Sequence, residues 1–285
     1  MEKIVYESEF FSVKDTLFCG QVFRFGLNPV LSRARGAESY DVFSADKRCL
    51  AYNDGEKAVI ECEEKDTDYF YNYFDLRRDY SEIFKAAESF GGIIKTAAQR
   101  GKGIRILNQD VTETLFSFIV SQNNNIPRIK AIIEKLCAGA GEEKEFSGEK
   151  YFAFPTPYAL SLRDEEFFKG IGLGYRAAYI KNLADGFDKT IKAEELKHLS
   201  DEELRKYLLS IYGVGRKVAD CVSLFAFHRS GSFPVDTWIE KIYKEDLGGT
   251  LKVREKIACE LAEKFGENSG YFQQYLFHYK RGLKE

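Results

Sequence analysis

The chain changes its hydrophobic rhythm about a third of the way along. In the first hundred residues short strand-like runs alternate with turns: Val22-Phe23-Arg24-Phe25, Tyr40-Asp41-Val42-Phe43, Arg48 to Tyr52 and Lys57 to Cys62. The last two flank Asn53-Asp54-Gly55-Glu56, and Asp-Gly between strand-like runs predicts a β-hairpin. The stretch from Asp68 to Phe74, crowded with Tyr and Phe, is expected in a core. From about Gly103 the apolar positions take helical spacing. Val111, Leu115, Phe118 and Ile119 share one face behind Asp110 and Glu113, which fit a capping box. After Pro127, Ile129, Ile132, Ile133, Leu136 and Cys137 form a second stripe, and Ser121-Gln122-Asn123-Asn124-Asn125 makes a turn of amides between the two. Ser200 and Glu203 repeat the box before a third helix. The pattern predicts an α+β chain, with an N-terminal antiparallel β-sheet domain over 1–100 followed by an all-α domain over 101–285.

Composition narrows the classes. With 285 residues, 44% of them hydrophobic, the chain can bury one large core or two to three smaller ones, so disorder is excluded. The six cysteines stand singly and the three histidines lie far apart, a poor set for zinc or an iron–sulfur cluster. No run approaches the roughly 18 apolar residues of a membrane span, and the start lacks a signal-like apolar core. Unpaired thiols then favour a reducing, cytoplasmic setting. A net charge of −3 argues mildly against nucleic acid, but phosphate contacts need only a local basic face.

The segment from Ser200 to Tyr243 carries the most chemistry. A capped helix ends at Ile211-Tyr212, Gly213-Val214-Gly215 turns sharply, and Arg216 opens another helix. Glycines allow the bend and a close approach of backbone to a partner, and unpaired N–H groups at the new helix start favour an anion such as a DNA phosphate. This is a helix–hairpin–helix, though an ordinary helical connection also fits G-x-G. Lys217 follows the glycines, and Asp236 lies a helix and a loop further on in Phe233-Pro234-Val235-Asp236. An amine can attack the anomeric carbon of a nucleotide and pass to a Schiff base while a carboxylate steadies the cationic sugar. The attacking amine must be neutral. Burial and the helix start favour that form and a close carboxylate opposes it, so Asp236 is expected nearby without a tight ion pair. Plainer roles also fit: a solvated phosphate contact for Lys217 and a helix N-cap for Asp236.

With these residues in place the chain resembles the helix–hairpin–helix glycosylase superfamily, and within it the eukaryotic-type 8-oxoguanine DNA glycosylases. The blocks that carry the resemblance are Gly20-Gln21-Val22-Phe23-Arg24-Phe25, the run from Gly103 to Ile129, Gly172-Leu173-Gly174-Tyr175-Arg176, the hairpin from Gly213 to Cys221, and the Pro-Val-Asp loop. The resemblance implies Lys217 as nucleophile, Asp236 as its electrostatic partner, and DNA contacts at Gly213 and Gly215. It places the flipped base between Cys221 and Phe277, with Gln273 on its Watson–Crick edge and the Gly20 carbonyl on the ring N–H that only the oxidised base carries. Asn123 would fill the vacated space beside Tyr175 as a wedge, while Arg128 and Arg176 would bond the orphaned cytosine. Blander roles stay open: Cys221 and Phe277 as core, Gly20 as a strand-end glycine, Asn123 as part of a helix cap.

The implied partner is double-stranded DNA containing 8-oxoguanine. No cofactor is required, since the amine and carboxylate supply the chemistry, and one site per chain gives no reason to expect more than a monomer. Two departures from the family pattern bear on phosphate contacts: Ile211-Tyr212 stands where Leu-Pro is usual, and Trp238 where a histidine is usual. Two rival readings follow from the same residues, a monofunctional alkylbase glycosylase and a non-catalytic helix–hairpin–helix DNA-binding protein.

Overall fold

Five short strands pair into one antiparallel sheet. They are β1 (Glu2–Glu7), β2 (Phe25–Leu27), β3 (Ser39–Ser44), β4 (Lys47–Asp54) and β5 (Lys57–Cys62), in the order β1-β5-β4-β3-β2. The computed structural model describes residues 1–190 and 193–283, the side chains of 188–190 and 193 excepted. The expected hairpin forms with Asp54 opposite Lys57 and Gly55 at φ +59°. Val42, Ala51 and Ile60 of the sheet share a core with Phe70, Tyr73 and Phe74, so the aromatic stretch is indeed interior.

A second core gathers the helices Val111–Ser121, Ile126–Ala140, Arg176–Thr190, Asp201–Ser210, Arg216–Phe225, Thr237–Glu245 and Ser269–Gly282. The helices Tyr80–Phe90 and Gly92–Arg100 join it too, through Tyr80, Ile83, Ala87, Ile94, Ala97 and Ala98. A cut at residue 100 therefore separates them from the core they help to build. Sequence order alone could not tell which apolar stripe they would meet.

The run Val22-Phe23-Arg24-Phe25 is not the strand its alternation suggested; the strand begins at Phe25. Val22 and Phe25 point into the sheet core and Phe23 into the helical core, so the alternation divides residues between two interiors. Buried Gln21 fastens the crossing, donating to the Thr16 and Arg105 carbonyls at 2.9 and 2.7 Å and accepting from Leu107 N–H at 2.9 Å.

The capping boxes also part company. Ser200 and Glu203 form both bonds of the box. Asp110 caps its helix by accepting from Glu113 N–H at 2.8 Å, but the Glu113 side chain turns away. It accepts from buried Arg24 at 3.1 Å and from Ala45 N–H at 2.7 Å. Arg24 donates further to the carbonyls of Ala45 and Phe152. The tip of the β3–β4 hairpin is thereby locked to a helix of the other core. A small hairpin of strands, Glu143–Phe146 and Glu149–Phe152, completes this corner. Its charged sequence buries only Phe146, so no apolar pattern announced it.

Removing one partner of a buried ion pair leaves the other charge stranded. Glu113→Ala is expected to cost about 3–5 kcal/mol of stability in denaturant unfolding. A loss no larger than that of a surface substitution would mean that this corner does not couple the two cores.

Candidate active site

The hairpin is shaped by what lies under Gly213. Its φ is +86°, and a Cβ there would fall 2.5 Å from the Tyr179 ring, so both the backbone conformation and the contact exclude a side chain. The Gly213 carbonyl accepts from Gln122 Nε2 at 2.9 Å, tying the hairpin to the amide turn. Gly215 is the N-cap of Arg216–Phe225, is exposed, and contributes no side-chain cap. The first-turn N–H groups of that helix are left for an outside acceptor, as a phosphate site requires.

Lys217 stands in this first turn, half-buried. Its Nζ lies 3.5 Å from Ser121 Oγ and 4.8 Å from the centre of the Phe118 ring. Ser121 donates its own hydrogen to the Phe118 carbonyl at 2.7 Å, so toward the lysine it acts as acceptor. Neither Ser121 nor Phe118 was singled out from sequence. Ser121 read as one polar residue of a turn, and only the packing of two distant helices brings it to the amine.

Asp236 is the N-cap of Thr237–Glu245, with Oδ1 accepting from Trp238 and Ile239 N–H groups, each at 2.9 Å. No ion pair joins it to Lys217 among the described residues. Both nevertheless act on the thiol of Cys221, one turn after Lys217. Burial pushes that thiol up to about 11, the Lys217 ammonium opposes the rise, and the Asp236 carboxylate adds to it. Amine and carboxylate thus both bear on one buried thiol, and no ion pair joins them among the described residues. The helix cap and the site role assigned to Asp236 are compatible, since each N–H bond falls on Oδ1 alone.

Two further groups meet from opposite ends of the chain. Gly20 has φ +87°, and a Cβ there would come within 2.7 Å of the Phe277 ring. The N-terminal part therefore reaches the last helix, as the pairing of these residues required. Phe277 packs partly covered against the helical core that contains Cys221. Gln273, one turn earlier on Ser269–Gly282, is buried, and its Oε1 accepts from Gln274 Nε2 at 2.8 Å.

The remaining residues form one cluster beside the hairpin. Asn123, at φ +46°, donates to Tyr175 Oη at 3.3 Å. Arg128 is exposed, with one donor on the Gly172 carbonyl at 3.2 Å. Arg176 departs from its expected place on an opposite base. It is only 4% exposed, and its guanidinium donates to the carbonyls of Gln122, Asn123 and Leu173. A tight turn leaves inward-facing carbonyls that need donors, and Arg176 supplies them while lying over the Tyr175 ring at 4.5 Å. As placed, it braces the Asn123 turn.

Known proteins are similar to this chain in sequence and fold. The family of 8-oxoguanine DNA glycosylase N-terminal domains matches residues 3–115, and the HhH-GPD superfamily of base excision DNA repair proteins matches residues 116–267. An N-glycosylase/DNA lyase of Saccharomyces cerevisiae is 40% identical over 158 residues, which are 51% of this chain and 42% of the yeast protein. The match thus spans less than half of that relative. Among solved structures, MBOgg1 in complex with a low-affinity DNA ligand aligns with a TM-score of 0.90 at 36% identity, covering 100% of each chain. The 8-oxoguanine glycosylase/lyase of Clostridium acetobutylicum, in its apo-form, aligns with a TM-score of 0.90 at 37% identity over 98% of this chain and 96% of that one. The same clostridial protein has been solved with double-stranded DNA containing cytosine opposite 8-oxoguanine. On the superfamily match over more than half its length and this end-to-end likeness, the chain belongs to the 8-oxoguanine DNA glycosylases of the helix–hairpin–helix superfamily.

Proposed function

We propose that this protein flips 8-oxoguanine out of duplex DNA, releases it with Lys217 and nicks the strand through a Schiff base. The observation that carries the reading is the seat of Lys217 in the first turn after the Gly213–Gly215 hairpin, its Nζ 3.5 Å from Ser121 Oγ and 4.8 Å from the centre of the Phe118 ring, with no ion pair to Asp236 among the described residues. An amine not clasped by a carboxylate is the kind that can serve as a nucleophile. The Nζ lone pair forms a bond to C1′ as the bond from C1′ to the base breaks, and the base leaves with that electron pair and takes up a proton. The sugar ring opens to the Schiff base, loses a proton from C2′, and expels the 3′ phosphate. Asp236, oriented by its two N–H bonds, would steady the positive charge on the sugar.

Recognition follows from the residues around Phe277. The ring and the Cys221 sulfur present apolar, polarizable surfaces for the two faces of a purine. The Gly20 carbonyl would accept the N7–H of 8-oxoguanine, where ordinary guanine offers a lone pair and repels it. The Gln273 amide would read N1–H and O6. Flipping leaves a hole, which Asn123 and Tyr175 would fill. Arg128 is the exposed donor for the N3 and O2 acceptors of the orphaned cytosine, and Arg176 holds the turn from which Asn123 projects.

In an excision assay on 8-oxoguanine duplex, Lys217→Gln should lower base release by about three orders of magnitude or more while DNA binding persists. Borohydride should trap wild-type enzyme on DNA and should not trap the variant. Base release without any trapped adduct would favour activation of water and sink the Schiff base; no release at all would leave only DNA binding. With each of the four bases opposite the lesion, Arg128→Ala should erode the preference for cytosine by about 1–3 kcal/mol. An unchanged preference would remove Arg128 from that role.

A further inference from the structure

Three elements stand together at the hairpin: the amide turn, the glycine bend and Tyr175. Gln122 ties the turn to the Gly213 carbonyl, and Arg176 ties it to Tyr175. Tyr179 closes the triangle, between Tyr175 and the bend. Its ring centre lies 5.8 Å from that of Tyr175 at 81°, and 5.0 Å from that of Tyr212 at 89°. The Gly213 backbone lies so close over the same ring that a Cβ has no room. Tyr179 itself is half-buried and packs against the helical core.

We propose that Tyr179 is a positioning residue for base flipping, the fixed support that holds Tyr175 against the duplex and sets its distance from the phosphate gripped at the hairpin. The inference rests on the wedge role of Tyr175 and on the flipping of 8-oxoguanine proposed above. Extruding a base costs pairing and stacking, and a wedge that gives way under that load opens nothing. Tyr175 is 53% exposed, so what holds it must come from beneath. The Arg176 guanidinium covers its ring at 4.5 Å and Asn123 bonds its hydroxyl at 3.3 Å. Tyr179, four residues on, backs it from the helical core.

Edge-to-face is a preferred arrangement of rings, so each of the three tyrosines resists turning away from the next. Because Gly213 rests on the middle ring, the phosphate grip and the wedge share one base. Loss of that ring would leave both free to shift apart when the duplex pushes back. Tyr179 makes these contacts with its ring and Cβ, so phenylalanine would keep them and leucine would not.

The test places 2-aminopurine beside 8-oxoguanine opposite cytosine, so that fluorescence rises as the lesion leaves the stack, and follows base release from the same duplex. Rates are read in single turnover at saturating enzyme, so they do not depend on the fraction folded. Tyr179→Leu should slow the fluorescence rise by at least about tenfold, the weight of two such ring pairs. Tyr179→Phe should match wild type. Tyr212→Ala, at a residue 59% exposed whose loss leaves the core covered, should slow the rise by less than Tyr179→Leu. A rise unchanged in both Tyr179→Leu and Tyr212→Ala, or Tyr179→Phe as slow as Tyr179→Leu, would overturn the role of the ring and leave the Lys217 chemistry standing. Slower base release behind an unchanged rise would overturn it too, because the effect would then fall on the chemistry. Wild type with neither a rise nor base release would instead overturn the proposed function, and this inference with it.

Discussion

Asp236 Oδ1 accepts two backbone N–H groups at the start of Thr237–Glu245, and the arrangement of the site depends on this cap. A carboxylate that clasped Lys217 would oppose the nucleophilic role proposed for it. Anchored to the helix start, Asp236 stays near enough to act on the same thiol as the lysine, yet forms no ion pair with it. Lys217 rests instead against Ser121 and Phe118, two groups that carry no charge. The two helix starts of the candidate site thus do different work. One offers open N–H groups from Gly215 onward, and the other spends its N–H groups on an aspartate.

The candidate site is assembled from distant segments, and a few buried polar contacts keep them in register. Gln122 joins the amide turn to the hairpin at Gly213, and Arg176 joins that turn to Tyr175. Gln21 and the pair Arg24–Glu113 carry the chain from the sheet core to the helical core. Gly20 sits within that crossing, which is why a residue so early in sequence lies against Phe277 on the last helix. The place of the Gly20 backbone therefore depends on contacts far from Lys217.

Much of this was legible along the chain. Asp-Gly between strand-like runs specified the β4–β5 hairpin, Ser200 with Glu203 specified a complete capping box, and Gly213 occupies the positive φ that its turn requires. Lys217 and Cys221, four apart, lie one helical turn apart, and Asp236 after proline caps a helix. Such features follow from groups within a few residues of each other. Their geometry is set by the backbone itself.

Other features needed the whole molecule. The run from Val22 to Phe25 looked like a strand, but two cores divide its residues. Glu113 had the spacing of a capping partner and was drawn to Arg24, which a local pattern cannot contain. Arg176, which the resemblance placed on the orphaned cytosine, donates here to carbonyls of a neighbouring turn. Ser121 and Gln122 gained their partners in the same way. Hydrophobic period and caps act over a few residues, so the sequence declares them. A buried polar side chain takes whatever donor or acceptor the fold brings within about 3 Å, and that choice exists only once the chain has closed on itself.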